Sequence, residues 1–132
     1  PWFENDLGET LGWEYERAVR YDRVVTVVAL RQNPGASRTA AVVRAVDRVI
    51  TCRNNWLVMI LPETTRDGAM SMLRRLSEAG DVAHAAVLQL PVDIDRREHL
   101  PSAILSAMRE VPQPGSVVLI HPHGHEAYSL TA

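Results

Sequence analysis

The sequence predicts an α+β domain, a mostly antiparallel sheet with helices packed on it, and three observations lead there. Val24 to Leu30 is a near-unbroken, β-branched-rich run, the pattern of a strand buried on both faces. Between Val49 and Pro62 the chain has hairpin grammar, with apolar runs on either side of the polar tip Arg53-Asn54-Asn55. Elsewhere apolar residues recur at helical spacing, in stretches that alternate with strand-like runs. At 132 residues and 14.7 kDa, with 46% hydrophobic and 23% charged residues, the chain reads as one globular domain spanning 1–132.

Bulk properties narrow the function classes. A net charge of -2 exerts no general pull on nucleic acid or anionic membrane. Aromatics are 5% of the chain and do not interleave with a basic stripe, so a base-stacking platform is not expected and nucleic acid is not an expected partner. Cys52 is the only cysteine, which excludes an intrachain disulfide, and a lone strand cysteine reads as a small apolar filler. No signal peptide is visible, and no apolar run approaches the roughly 18 residues of a membrane span. The chain begins at Pro1 without a methionine, so a cytoplasmic domain excised from a longer protein is expected, and any membrane attachment would belong to the missing part.

Taken in order, Leu7, Leu11, Tyr15 and Ala18 share a helical face, so Asp6 to Asp22 reads as an amphipathic helix whose charges form a solvated face laced with ion pairs. Trp2 and Trp13 read as anchors of this helix or as contacts to a lost neighbouring domain. After the Val24 to Leu30 strand, Arg31 to Gly35 supplies turn chemistry, and Ser37 can cap a short helix with Ala40, Val43 and Val46 on one face. Val49 and Ile50 begin the hairpin. Its tip is expected to turn through Asn54-Asn55, since asparagine tolerates positive φ, and Trp56 to Leu61 is the return strand, closed by Pro62. Thr64, with Asp67 three residues on, resembles a capping box; Ala69, Met72, Leu73 and Leu76 then continue a helix until Gly80. Val82 to Leu90 reads as a strand and Pro91 to Arg97 as a loop. Leu100, Ile104, Met108 and Val111 form the stripe of a further helix that Pro112 and Pro114 end, and Val117 to Ile120 is a last buried strand. His121 to Ala132 reads as a tail with an edge strand around Ala127 to Leu130. This order contains the split βαβ unit of ferredoxin-like folds.

Three segments carry a family resemblance. V-R-A-V-D-R-V-I-T-C-R-N-N-W-L-V-M-I-L-P (Val43 to Pro62), E-Y-E-R-A-V-R-Y-D-R in the first helix, and L-P-E-T-T-R-D-G-A after the hairpin resemble the wording of the GGDEF (diguanylate cyclase) family. The resemblance runs from about Leu11 to Ile120 and implies a nucleotidyl-cyclase-like, antiparallel-rich sheet. It places the G-G-D-E-F positions on Arg53, Asn54, Asn55, Trp56 and Leu57, and an R-x-x-D on Arg44 to Asp47.

Synthesis of cyclic di-GMP requires carboxylates that hold Mg²⁺ against a triphosphate. At the family's metal positions this chain carries Arg31, Asn33, Asn55 and Trp56 instead. The motif glycines, which let the backbone approach the nucleotide, are replaced by Arg53 and Asn54. The resemblance therefore implies a non-catalytic, degenerate domain with no cofactor and no metal, regulating a larger signalling protein.

In the family the R-x-x-D binds cyclic di-GMP, so Arg44 and Asp47, with Arg48 beside them, are the expected ligand residues. A guanidinium can pair bidentately with guanine O6 and N7, and a carboxylate can accept from N1 and N2. Arg44 and Asp47 read equally well as an exposed i,i+3 ion pair. The alternatives are a protein-interaction or homodimerisation scaffold with no nucleotide, acting on other domains of the parent or on a protein partner, an enzyme rebuilt on Cys52 or the histidines, and a single-strand nucleic-acid binder. His121, His123 and His125 alternate within five residues, but their spacing matches no closed tetrahedral framework, and a solvated tail is the more economical reading.

Overall fold

The structure, a computed structural model, describes residues 5–33, 48–52, 55–78, 80, 82–109, 115–122 and 124–130. Helix α1 (Asn5–Tyr21) leads into β1 (Val25–Gln32), and β2 (Arg48–Thr51) and β3 (Trp56–Pro62) form the hairpin. Helix α2 (Arg66–Glu78) and β4 (Val82–Leu90) follow, and α3 (Leu100–Arg109) precedes the closing strands β5 (Ser116–His121) and β6 (Gly124–Ser129). Among the described residues the fold is α+β, with one six-stranded sheet in the order β2-β3-β1-β4-β5-β6. Every neighbouring pair is antiparallel except β4 and β5, whose parallel pairing requires the crossover that α3 supplies.

Strand β1 is interior to the sheet, between β3 and β4, with Val28 opposite both Met59 and Val87. Its residues Val25 to Leu30 are all buried because both faces are covered, which is why the run does not alternate. Val25, Val27 and Ala29 pack with Leu7, Leu11 and Ala18 of α1 and with Leu100 and Ile104 of α3. Val28 and Leu30 pack on the opposite face with Ala69, Leu73 and Leu76 of α2. Each such fully buried leucine or valine contributes on the order of 1.5–3 kcal/mol.

Local chemistry sets the ends of these elements, and several differ from the sequence expectation. Strand β1 does not stop at Leu30: Arg31 and Gln32, expected to begin a turn, continue it by pairing with β3 and β4. Helix α2 is capped by Thr65, whose Oγ1 accepts from the Gly68 N–H at 3.3 Å, one residue later than the expected start at Thr64. The Thr64 side chain is engaged elsewhere, its hydroxyl donating to the Pro62 carbonyl at 3.2 Å, while its carbonyl accepts from the buried Thr26 hydroxyl at 2.6 Å. At the hairpin, the Cys52 N–H donates to the Trp56 carbonyl at 2.8 Å, so three residues span the tip rather than two. Asn55 takes the left-handed conformation (φ 65°) that ends such a loop. Finally, the chain after His121 is not a tail. It turns at once into β6, which pairs with the whole of β5, Ile120 standing opposite His125.

The short helix expected from Ser37 to Val46, including Arg44, and Asp47 after it lie outside the described residues. So do Trp2, the tip residues Arg53 and Asn54, Val111 to Pro114, and His123. No described helix is long and apolar enough to cross a membrane.

Candidate functional site

Arg48, the described member of the expected ligand set, opens the edge strand β2 opposite Ile60 of β3. Its Nη1 donates to Glu14 Oε1 of α1 at 3.1 Å, and the same oxygen accepts from Arg17 Nη1 at 3.4 Å. The Glu14 side chain is only 6% exposed, against 46% for Arg48. A carboxylate so placed is tolerated because it is paired and hydrogen-bonded to cations. This corrects the reading of the α1 charges as a wholly solvated face. The signal was present in the spacing, since position 14 falls on the buried stripe of Leu7, Leu11 and Ala18.

A cavity of about 230 Å³ opens around the Glu14–Arg48 pair. Arg23 and Glu63, ion-paired at 3.2 Å and both exposed, line it on one side, while Val25 and Ile60 give it an apolar wall. Three arginines against two glutamates leave one positive charge in surplus. Planar guanidinium forks of this kind suit a phosphodiester or another small anion. Sequence reading did not single out Glu14, Arg17, Arg23 or Glu63, which lie on α1, before β1 and after β3 and come together only in the folded chain.

The positions that the resemblance relates to metal binding gather at another end of the sheet. Arg31 stands directly opposite Trp56, and the Gln32 N–H donates to the Asn55 carbonyl at 2.8 Å. The β1–β4 register shifts between Arg31 and Gln32, a local irregularity that re-aims side chains. Asn33 Nδ2 donates to the Gly80 carbonyl at 2.6 Å, tying this end to the turn after α2. These positions thus present a guanidinium, two amides and an indole, while Leu57 is buried in the core.

Other reactive groups are placed as follows. Cys52 is half-buried against the core, and its thiol donates to the Ile50 carbonyl at 3.8 Å. His121 and His125 line a groove of about 210 Å³ together with His99 and Asp95. His99 Nδ1 lies 2.8 Å from Asp95 Oδ1, and this hydrogen bond holds the Asp95 carboxyl below its usual 3.8. Tyr128 donates to Glu126, which pushes the phenol above its usual 10.0. Among the described residues no group of three or more His, Cys, Asp or Glu is arranged to hold a metal ion. One buried network was not foreseen: Asp93, in the loop after β4, accepts from Arg66 at the start of α2 and from the Gln89 N–H at 2.7 Å. Gln89 Oε1 in turn accepts from the Arg66 N–H at 3.1 Å.

A scan against protein-family models gives no match to this chain, and a search of curated proteins likewise gives none.

Proposed function

We propose that this chain is a non-catalytic regulatory domain of the degenerate GGDEF type, with a ferredoxin-like, cyclase-like sheet, and that it receives cyclic di-GMP on the segment from Arg44 to Arg48. The observation that carries the reading is the position of Arg48. It follows directly on Asp47, lines a cavity shared with Arg17 and Arg23, and is bonded to the first helix through Glu14. Arg44 and Asp47 would read the guanine edge, and the cavity arginines would meet the phosphodiester. A ligand there is one bond away from α1, the element that would carry a signal to a neighbouring domain. The strand order supports the fold part, since β1 lies between the hairpin strand and β4.

Cyclase chemistry is excluded from the proposal because Arg31, Asn33, Asn55 and Trp56 offer no anionic oxygen to a divalent cation. Incubation with GTP and Mg²⁺ or Mn²⁺ is expected to give no product above a no-protein control. Product that is lost on mutating these positions would reverse that part.

Titration calorimetry tests the receptor part. Cyclic di-GMP is expected to bind the wild type, and Arg44→Ala to weaken it by about tenfold or more through loss of a charge-assisted bidentate contact. Asp47→Ala and Arg48→Ala should weaken it as well. No heat at ligand concentrations well above micromolar, or binding that ignores all three substitutions, retires the receptor and leaves the scaffold reading, which the exposed Trp13 on α1 favours.

A further inference from the structure

We infer that the outward face of α1 pairs two copies of this chain through antiparallel helices centred on Trp13. The inference does not rest on the nucleotide reading. Trp13 is 56% exposed, so it does not anchor α1 to its own domain, and Tyr21, which lines the groove beside it, is exposed as well. Two grooves of about 360 Å³ each flank the indole. The groove toward the helix N-terminus takes in Gly8, Glu9 and Gly12, and the one toward the C-terminus takes in Arg17, Arg20 and Tyr21.

The charges on this face choose the occupant. Glu9, Trp13, Arg17 and Arg20 recur at i, i+4, i+8 and i+11, so one exposed stripe runs from acidic through aromatic to basic. Placed parallel, two such stripes oppose like charges; placed antiparallel, they oppose unlike ones. With Trp13 on the two-fold axis, Glu9 and Arg17, four residues to either side, face each other across it twice. Glu16 shares the face but is already bonded to Arg97 of its own chain. Arg17 donates to Glu14 through one nitrogen, and its side chain, 61% exposed, keeps further donors free for a second carboxylate.

The grooves accept the indoles in the same arrangement. Helical side chains lean toward their own N-terminus. In an antiparallel pair each Trp13 therefore leans along its partner toward that helix's C-terminus, where the groove is lined by Arg17, Arg20 and Tyr21. A guanidinium over an indole face is a favourable contact. Helix α1 has 17 residues and is about 26 Å long, so the interface is at the small end of specific ones and the dimer is concentration-dependent.

Sedimentation velocity on the full chain, from about 5 to 500 µM, reads the outcome. The wild type is expected to pass from monomer to dimer over this range. Trp13→Ala and Glu9→Arg are expected to weaken the dimer tenfold or more without changing the melting temperature, and Glu9→Arg with Arg17→Glu to restore it. Because Arg17 also serves Glu14, a second measurement reads the register directly. In a Cys52→Ala background, Glu9→Cys and Arg17→Cys proteins are mixed and oxidised, and the mixed disulfide should outweigh both like-with-like products. A wild type that stays monomeric throughout, a dimer indifferent to Trp13→Ala and Glu9→Arg, or an excess of like-with-like disulfides would each overturn the proposal.

Discussion

Glu14 of α1 and Arg48 of the edge strand β2, 34 positions apart in the chain, are joined at 3.1 Å, and the carboxylate is buried while the guanidinium is half in solvent. The pair is thus asymmetric: removing the arginine strands a buried charge, whereas removing the acid releases an arginine to water.

That asymmetry is measurable by thermal denaturation. Arg48→Ala should cost about 1–2 kcal/mol, less than a fully buried pair because Arg17 still holds Glu14. In a domain of this size the melting temperature should fall by about 3–8 °C. Glu14→Leu extends the stripe of Leu7, Leu11 and Ala18 and should stay within about 1 kcal/mol of the parent. Equal losses in the two variants would mean that the acid is as solvated as the base.

Val27, fully buried in β1, tests the middle of the sheet. Val27→Asp places an unpaired carboxylate between α1 and α3, at a cost of several kcal/mol against a typical stability of about 5–15. The variant should be unfolded or nearly so by circular dichroism. A melting temperature within a degree or two of the parent would contradict the interior position of β1.

Asp93 holds the start of α2 and the end of β4 together through Arg66 and the Gln89 N–H. Asp93→Ala leaves both donors without their acceptor and should cost about 2–4 kcal/mol in urea denaturation. Asp93→Asn keeps an acceptor oxygen but not the charge, and should cost about half as much.

The Asp95 carboxyl, hydrogen-bonded to His99, should titrate below 3.8 when followed by NMR, and His99→Ala should return it toward that value. A depressed carboxylate contributes stability that is present above its unfolded value and is lost as pH falls through the folded one. Both side chains are largely exposed, so the signature belongs in the titration midpoint rather than in the melting temperature.

Elements with a strong hydrophobic period were legible in the chain. Val82 to Leu90 has the bounds expected of it, and the run from Val24 lies in the sheet interior because a strand covered on both faces needs no polar alternation. Features that depend on partners distant in sequence were not. Glu14 reads as one more surface acid until Arg48 arrives from β2, and Asp93 reads as a loop residue until Arg66 and Gln89 close around it. The hairpin tip holds one residue more than its composition suggests, because loop length is set by the Cys52–Trp56 hydrogen bond, which composition does not encode. Strand β6 begins earlier than its sequence suggests: His125 and Glu126 have little strand propensity, and the pairing with β5 overrides it.

Strand β6 is exposed at every position, yet it covers the whole hydrogen-bonding edge of β5, the run Ser116 to His121 with Val117, Val118, Leu119 and Ile120 at its centre. Without β6 that edge would be a bare template of apolar, β-branched backbone, open to strands of other molecules. The polar and aromatic wording of β6, with Gly124, His125, Glu126 and Tyr128, makes it a poor template in turn. The outermost strand therefore acts less as part of the core than as a guard against fibrillar self-association, and a chain cut before Gly124 would lose solubility long before it lost its interior.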